Sequence, residues 1–266
     1  MNLPEITPVI LTFNEEANIA RCLERLAWAD QVLVLDSFST DGTAEIAASF
    51  SNVRIEKRIF DDHTSQWNHA VSLCNTPWVL SLDADYLIPV DFTAEAQNLN
   101  PGPETTAYYG RFRYCVIGKP LRASLYPPRA ILFRRDACCY VEDGHTQLLS
   151  INGQCGELAG EILHDDRKSL DRWLASQLKY AELEASYLLR TPVSALNHPD
   201  RIRRWGFAAP VMVFFYTLLV RGLILDGLAG WYYVLQRTTT ECIVALYVVH
   251  RRISMRSSKS GLKTPQ

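Results

Sequence analysis

The sequence has little net charge and neither paired cysteines nor a long apolar N-terminal segment. The formal net charge is -2 over 266 residues, so overall charge would not attract the chain to nucleic acid, and we expect no nucleic-acid partner. The seven cysteines lack a CxxC pair and any Cys/His spacing suited to structural zinc. Such scattered cysteines are typical of small buried residues in a reducing compartment.

The first residues, MNLPEITPVILTF, contain no basic segment followed by a long apolar stretch, so we expect no secretory signal and a cytoplasmic location. Apolar residues make up 48% of the sequence and charged residues 21%. This balance is ordinary for a folded protein and excludes wholesale disorder. A packed fold is therefore expected.

Strand-like apolar runs alternate with helix-like segments through the first ninety residues. The predicted strands are 7–13, 31–35, 53–56 and 78–82, and the helices include 43–50 and 65–74. Such alternation predicts an α/β fold with a largely parallel sheet. In such a sheet, ligands bind at the carboxyl ends of the strands.

Beyond Pro89 the pattern changes. Strands are predicted at 108–116 and 130–134, and a long amphipathic helix at 169–189. Two strongly apolar segments, 207–225 and 231–249, are separated by DGLAG and predict a pair of antiparallel helices. We therefore expect a domain of residues 1–190 with halves 1–90 and 91–190, a C-terminal helical hairpin at 200–252, and a basic flexible tail at 253–266.

The predicted hairpin is flanked by basic residues. Arg237, Glu241 and three threonines interrupt its second segment, which argues against a bilayer-spanning pair. Basic clusters at the open end of the hairpin favour the anionic cytoplasmic face of a membrane; they contain Arg201, Arg203, Arg204, Arg251, Arg252, Arg256, Lys259 and Lys263. An oligomerisation hairpin or additional core is the alternative.

Polar loops follow the predicted strands where a ligand would bind. Asp83 and Asp85 lie two apart after the apolar run WVLSL, and two such carboxylates can share a divalent cation with waters and phosphate oxygens. A DxD pair alone also occurs in helix caps and solvated loops. Asp36 ends a second apolar strand, where its carboxylate would need a hydrogen-bond donor such as a nucleobase N–H. Alternatively, Asp36 caps its own loop.

Four motifs, TFNEEANI, VLDSFSTDGT, QWNHA and LSLDADY, occur in this order. Together they resemble the inverting family 2 glycosyltransferases of GT-A fold, and especially bacterial enzymes of lipopolysaccharide core and envelope glycan assembly. GKPLR, LFRR, the His164 region and the LDG hairpin extend the resemblance over nearly the whole chain. The resemblance implies a Rossmann-like, mostly parallel mixed sheet flanked by helices, followed by a C-terminal helical hairpin.

The resemblance also implies roles for individual residues. Asp36 would hold the nucleotide base, Glu16 would lie near the base or ribose, and Asn14 and Asn68 would complete the donor site. Asp83 would lie near the ribose and metal. Asp85 would bind the metal, Mg or Mn. His164 would add a metal or diphosphate contact, or else be a helix-capping or partly buried histidine.

An inverting transfer needs a base for the acceptor hydroxyl. The acceptor-side loop VEDGHTQ places Asp143 as the expected base with Glu142 behind it. The relatives carry His-Glu where this chain has His145-Thr146, so the usual glutamate position is vacant. An ordinary Asp-Gly turn is the alternative interpretation of Asp143.

We therefore expect a metal-dependent, inverting hexosyl transfer from a nucleotide diphosphate sugar, with a UDP-sugar as donor. The expected acceptor is a membrane-associated glycan such as lipopolysaccharide core, at the inner face of the cytoplasmic membrane. One alternative is a polyprenyl-phosphate acceptor. Another is a non-catalytic relative that binds nucleotide-sugar or serves as a scaffold. The hairpin would bind either the membrane surface or a second copy of the chain.

Overall fold

The computed structural model describes the backbone of residues 1–143 and 146–260, and their side chains except at 143, 146 and 256–260. The chain forms two compact units. The first contains Met1–Pro120 and Ser124–Lys168, and the second contains Leu121–Ala123 with the chain from Ser169 onward.

The first unit contains all eleven described strands and four short helices. Its strands are β1 (Ile6–Thr12), β2 (Val32–Asp36), β3 (Val53–Lys57), β4 (Trp78–Asp83), β5 (Tyr86–Leu87), β6 (Thr105–Val116), β7 (Lys119–Pro120), β8 (Arg129–Arg134), β9 (Cys138–Asp143), β10 (Thr146–Ile151) and β11 (Gln154–His164). Its helices are α1 (Ile19–Glu24), α2 (Thr43–Ala48), α3 (His63–Ser72) and α4 (Phe92–Asn98). The predicted mixed α/β fold is confirmed.

The main sheet has the strand order β3-β2-β1-β4-β8-β6-β11-β5, with β7 paired to β6. The first four strands in this order are parallel, and β8 runs antiparallel to both β4 and β6. Because β2 and β4 lie on opposite sides of β1, the winding reverses beside β1, and the carboxyl ends of these three strands border a crevice suited to a ligand. Strands β9 and β10 form a separate antiparallel ribbon.

The central strands are apolar because helices cover both faces of the sheet. Side chains of α1, α2 and α4 pack into one core cluster, and those of α3 and β9 pack into the other. Val9 and Ile10, which point to opposite faces of β1, are both fully buried. Burial on both faces explains why β1, β2 and β4 could be predicted as continuous apolar runs.

The sequence patterns did not predict β9, β10, β11 or α4. Most side chains of β11 are exposed or half-buried, and its sequence QCGELAGEILH contains two glycines. The strand is held by long parallel pairing with β6, which local composition does not encode. His164 therefore ends a strand, although the sequence analysis placed it simply before a long helix.

The second unit is helical: α5 (Leu170–Arg190), α6 (His198–Trp205), α7 (Ala208–Phe215), a π-helical turn (Tyr216–Val220), a 3₁₀ turn (Leu223–Asp226) and α8 (Gly227–Ser260). Helices α5, α6 and α7 all pack against α8. The two predicted apolar helices correspond to the α7 region and the first part of α8. The predicted tail, 253–266, begins inside α8, and residues 261–266 lie outside the described part.

No single helix among the described residues is long and apolar enough to cross a bilayer. Ala208–Val220 and Leu223–Met255 meet the length and composition requirements together, with a bend of 67° between them.

A buried ion cluster holds these helices together. Arg203 on α6 donates two hydrogen bonds of 2.9 Å to Glu241 on α8, and its guanidinium lies 2.5 Å from Glu184 on α5. Burial alone would lower the pKa of Arg203, but hydrogen bonding and the charge of Glu241 raise it above its usual value. Arg203, which the sequence analysis counted in a lipid-facing basic cluster, instead joins three helices.

Candidate active site

The loops after β1 and β2 are joined by Asn14. Its backbone is left-handed, with φ of 57°, a conformation that asparagine tolerates better than most residues. Asn14 Oδ1 accepts a hydrogen bond of 2.7 Å from the Thr40 N–H, and the Asn14 N–H donates to Ser39 Oγ at 2.7 Å. Asn14 therefore shapes the crevice by fixing one loop against the other.

Asp36 ends β2 and is 1% exposed. Its Oδ1 accepts hydrogen bonds from Thr12 Oγ1 at 3.1 Å and from Ser39 Oγ at 2.5 Å. Its Oδ2 accepts from the Ser39 N–H at 3.0 Å. Asp36 thus caps its own loop, while Oδ2 can still accept a second hydrogen bond from a ligand.

Glu16 reaches from the first loop to the start of α2. Its Oε2 accepts a hydrogen bond of 2.7 Å from the Gly42 N–H. A side chain at Gly42 would place a Cβ 3.3 Å from the same carboxylate oxygen, so glycine permits this close approach. Glu16 is exposed at the crevice and holds the second loop in place.

Asp85 and His164 form a buried pair. Asp85 Oδ2 lies 3.2 Å from His164 Nε2. Burial would raise the pKa of Asp85, but the charge and hydrogen bond of His164 outweigh it and lower that pKa. Burial would lower the pKa of His164, and Asp85 raises it instead. These opposite shifts favour a carboxylate beside an imidazolium.

Three tyrosines surround the His164 ring edge-on. Ring-centroid distances are 5.2 Å to Tyr86, 4.9 Å to Tyr114 and 4.8 Å to Tyr126. Burial raises the pKa of Tyr126 to about 12, so its hydroxyl stays protonated. The three rings fix the position of His164 beside Asp85.

Two buried atoms of the pair lack a hydrogen-bond partner, namely Asp85 Oδ1 and His164 Nδ1. Carboxylate oxygen suits Mg or Mn, and an imidazole nitrogen binds a divalent cation only in its neutral form, so a cation bound to His164 would replace the imidazolium proton. Within residues 1–143 and 146–260, no group of three His, Cys, Asp or Glu side chains is arranged to hold a metal ion. The pair therefore fits a cation whose remaining ligands come from a substrate and water.

Lys168 lies beside this pair and was missed by the sequence analysis. Its Nζ is 2.8 Å from Glu15 Oε1 and 3.6 Å from Asp166 Oδ2. Burial would lower the pKa of Lys168, but the charges of Glu15, Asp166 and Asp85 raise it. The Lys168 ammonium group is thus held in the crevice. The sequence patterns did not predict this position because they did not predict β11, the strand that precedes Lys168.

Asp165 anchors the segment between His164 and Lys168. It is 2% exposed and lies 2.7 Å from Arg21 and 2.8 Å from Arg167. The Asp165 N–H also donates to the backbone oxygen of Asp85 at 3.0 Å. This network fixes the segment 164–168 next to the loop that contains Asp83 and Asp85.

Two cavities meet at Asp83. One has a volume of about 280 Å³, and its walls include Thr12, Phe13, Gln66, Asp83, Asp85 and Lys168. The other has a volume of about 340 Å³, and its walls include Trp67, Asp83, Tyr109, Arg129, Tyr140 and Leu148. Because Asp83 borders both, ligands in the two cavities would approach each other there.

The same loops lie within a family match. Residues 7–143, just over half of the chain, match the model of glycosyl transferase family 2. The chain belongs to this family. It is 31% identical over 240 residues to the lipopolysaccharide core biosynthesis glycosyltransferase LpsC of Rhizobium meliloti, a match that covers 85% of each chain. The predicted family is confirmed, and the protein is a glycosyltransferase related to a lipopolysaccharide core enzyme.

Solved structures also resemble this glycosyltransferase. S. aureus TarS 1–349 in complex with UDP-GlcNAc has a TM-score of 0.49 at 15% identity, covering 89% of this chain and 90% of TarS. Mycobacterium tuberculosis glucosyl-3-phosphoglycerate synthase in complex with Mn²⁺, UDP and glucosyl-3-phosphoglycerate has a TM-score of 0.43 at 13% identity, covering 71% and 81%.

The Asn68 side chain is hydrogen-bonded to the Tyr140 backbone and does not line either cavity. Its Nδ2 donates to the Tyr140 backbone oxygen at 2.8 Å, and its Oδ1 accepts from the Tyr140 N–H at 2.9 Å. The neighbouring Trp67 stacks on the Tyr140 ring at 5.3 Å. Helix α3 thereby holds the β9–β10 ribbon.

Replacing Asn68 by alanine should loosen this ribbon. Both backbone groups of Tyr140 lose their partner, so the free energy of unfolding should fall by about 1–3 kcal/mol. Hydrogen exchange in residues 138–143 should accelerate, whereas Asn100→Ala, a change at an exposed asparagine, should leave it unaltered. A raised donor KM with unchanged exchange would instead place Asn68 in the donor site.

The two predicted base residues lie on β9. Glu142 is exposed. Asp143 ends β9, and its side chain lies outside the described part of the chain, as do Gly144 and His145. The assignment of the base is therefore a proposal.

Proposed function

We propose that this glycosyltransferase transfers a sugar from a UDP-sugar to a membrane-associated glycan such as lipopolysaccharide core, with inversion and with a divalent cation. The main support is the unpartnered Asp85 Oδ1, which is buried beside His164 in a cavity that also contains Lys168. The 31% identity to LpsC over most of both chains supports a lipopolysaccharide-type acceptor.

The donor would occupy the smaller cavity. Asp36 Oδ2 can accept the N–H of a uracil ring, and the Lys168 ammonium would contact the diphosphate. A Mg or Mn ion held by Asp85 and His164 would screen the diphosphate charge as the glycosidic bond breaks. Asn14 and Glu16 would hold the loops that receive the nucleoside, with Glu16 near the base or ribose.

The position of Asp83 supports a direct displacement. In this displacement, an acceptor hydroxyl from the larger cavity would attack the sugar on the side opposite the diphosphate. Attack from that side inverts the anomeric centre and needs no covalent enzyme intermediate. Asp83 would contact the ribose and transferred sugar where the two substrates meet.

The larger cavity suits a sugar acceptor that carries an anionic group. Aromatic rings in its wall, including Trp67 and Tyr109, offer apolar surfaces for sugar rings. The Arg129 guanidinium carbon lies 4.8 Å from the centre of the Tyr126 ring and can bind phosphate or carboxylate. Because Arg129 can bind a phosphate group, polyprenyl phosphate is the second candidate acceptor.

A transfer assay tests this proposal. Release of nucleotide diphosphate from UDP-, GDP- and ADP-sugars is measured with Mn²⁺ or with EDTA, using a lipopolysaccharide core fraction or polyprenyl phosphate as acceptor. The expected result is Mn²⁺-dependent transfer from a UDP-sugar to the core fraction. Turnover that persists in EDTA would remove the metal role, and transfer only to polyprenyl phosphate would establish the second acceptor.

Replacing Asp143 by asparagine should lower kcat by about 10²–10⁴-fold, the usual contribution of a general base. Glu142→Gln provides the matched comparison on the same strand and should have a smaller effect. Rates are measured at saturating donor and acceptor. Full activity of Asp143→Asn would remove Asp143 as the base, and a large loss in Glu142→Gln alone would transfer that role to Glu142.

We further propose that the enzyme acts at the inner face of the cytoplasmic membrane, where a lipid-linked acceptor would be presented. The C-terminal helices would provide the contact. Homo-oligomerisation through the same helices is the competing use of that surface.

A further inference from the structure

Two exposed apolar stripes run along α7 and the start of α8. On α7 and its π-helical turn the exposed side chains recur at i, i+1, i+4, i+5, i+8 and i+9, which is one helical face; they are Val211, Met212, Phe215, Tyr216, Leu219 and Val220. On α8 they recur at i, i+3, i+4 and i+7; they are Leu228, Trp231, Tyr232 and Leu235. Phe214 and Trp231 pack together with ring centroids 6.2 Å apart, so the stripes lie on adjacent helices.

Polar groups in this segment point inward instead. Thr217 is fully buried, and its hydroxyl donates to the Val213 backbone oxygen at 2.7 Å. Asp226 is buried and lies 2.9 Å from Arg122. Residues 207–235 contain only two charged side chains, Arg221 and Asp226, so Arg221 is the one exposed charge in this fully described segment. This arrangement is the reverse of a helix pair that faces water.

The turn between the helices is built to expose apolar residues. Gly222 and Gly227 have φ of 69° and 62°, which other residues rarely adopt. A Cβ at Gly230 would lie 1.9 Å from the Leu223 backbone oxygen, so only glycine lets α8 approach the 3₁₀ turn. Leu225 and Leu228 stand at the tip, and Leu228 is 89% exposed.

The exposed surface carries few polar atoms. Contiguous exposed apolar surface of this kind marks an interaction with another protein or with a membrane. Protein interfaces form about one hydrogen bond per 100–200 Å², whereas the polar atoms on these stripes come mainly from Tyr216, Tyr232 and Arg221. A bilayer interior requires no such hydrogen bonds, so the surface fits lipid better than a second copy of the chain.

The edge of this surface has the composition of a membrane interface. Trp205 and Phe207 are exposed where α6 meets α7, and Arg201 is exposed one turn earlier. Aromatic rings and arginines together favour the headgroup region, and arginines favour anionic lipids. Arg252, at the same open end of the hairpin, donates to backbone oxygens, including that of Trp205 at 3.3 Å.

We propose that residues 205–235 insert into one leaflet of an anionic membrane without crossing it, with Leu225 and Leu228 deepest. The bend of 67° suits such a shallow, re-entrant insertion. This inference deepens the proposed function, because it rests on an acceptor presented at a membrane. It places the deepest contact at the closed, apolar end of the helix pair, with Trp205 and Arg201 of the open end at the headgroups.

Vesicle flotation of the full chain tests the insertion. The wild type should float with phosphatidylglycerol/phosphatidylethanolamine vesicles and bind phosphatidylcholine vesicles more weakly. Leu225→Asp combined with Leu228→Asp should reduce binding at least tenfold. The matched pair Leu178→Asp and Leu183→Asp, at exposed leucines of α5, should float like the wild type. Circular dichroism checks that each variant is folded.

Tryptophan fluorescence supplies a readout that does not depend on the folding of the double variant. Lipids brominated on the acyl chain should quench the tryptophan fluorescence of the wild type. The same lipids should quench the fluorescence of Trp231→Phe less. Absence of quenching and flotation would overturn the insertion. If the wild type is a dimer that does not bind vesicles, and the Leu225/Leu228 variant is a monomer, the surface binds a second copy of the chain. Donor hydrolysis should persist in both leucine double variants. If the wild type and both variants all lack donor hydrolysis, that result would contradict the proposed function but not the membrane insertion.

Discussion

Asp85→Ala is expected to lower kcat/KM for sugar transfer by about 10²–10³-fold, the typical loss when one group that stabilises developing charge is removed. The reason is the buried Oδ1, which has no protein partner and is available to a cation. The variant should also lose the Mn²⁺ dependence of nucleotide diphosphate binding. Calorimetry with UDP, with and without Mn²⁺, measures this directly.

Asp91→Ala is the matched control for this experiment. Asp91 is an exposed aspartate at the start of α4 and makes no capping hydrogen bond with its side chain. It should retain wild-type activity and metal-dependent binding. Unchanged turnover in Asp85→Ala would eliminate the proposed metal role, while equal losses in both variants would indicate a general effect on folding.

Arg203→Ala should lower the free energy of unfolding by about 3–5 kcal/mol, because it leaves buried carboxylates without their cation. Glu184 and Glu241 are 3% and 4% exposed, and Asp200 lies 3.9 Å from the same guanidinium. The expected result is a much lower midpoint of chemical denaturation. Unfolding is measured by the circular dichroism of the helices.

Arg190→Ala, at an exposed arginine in the last turn of α5, should change stability by no more than about 0.5 kcal/mol. Glu184→Gln and Glu241→Gln added to Arg203→Ala should restore part of the loss, because neutral amides cost less to bury than unpaired carboxylates. No recovery in this triple variant would show that packing of the arginine side chain, rather than its charge, carries the stabilisation.

Local pattern was a good guide where burial follows directly from composition. Strands β1, β2 and β4 were predicted because both of their faces are covered, which makes their sequences continuously apolar. The polar residues after them, including Asp36 and Asp83, were predicted as site residues because parallel strands present their carboxyl ends to one crevice. The combined motifs indicated the family that the match over 7–143 and the similarity to LpsC then confirmed.

Long-range pairing accounts for what the sequence patterns missed. Lys168 reaches the crevice because β11 pairs with β6 and the Asp165 network fixes the following turn. The amide of Asn68, which the motif QWNHA predicts in the donor site, is bonded to Tyr140, far away in the chain, and its donor-site role stays a prediction. These contacts join segments that carry no recognisable signal for one another.

Sequence alone therefore determined the family, the α/β half of the fold and the loops that border the crevice, since these depend on short motifs and on apolar periodicity. Tertiary structure decided which charges are buried and which apolar faces are exposed. Arg203 reads as a surface charge beside Arg204, yet Glu184 and Glu241 enclose it. Apolar residues along α7 and α8 left a membrane-facing hairpin and additional core as alternatives, and many of them face outward, because helix packing buries one face and leaves the other exposed.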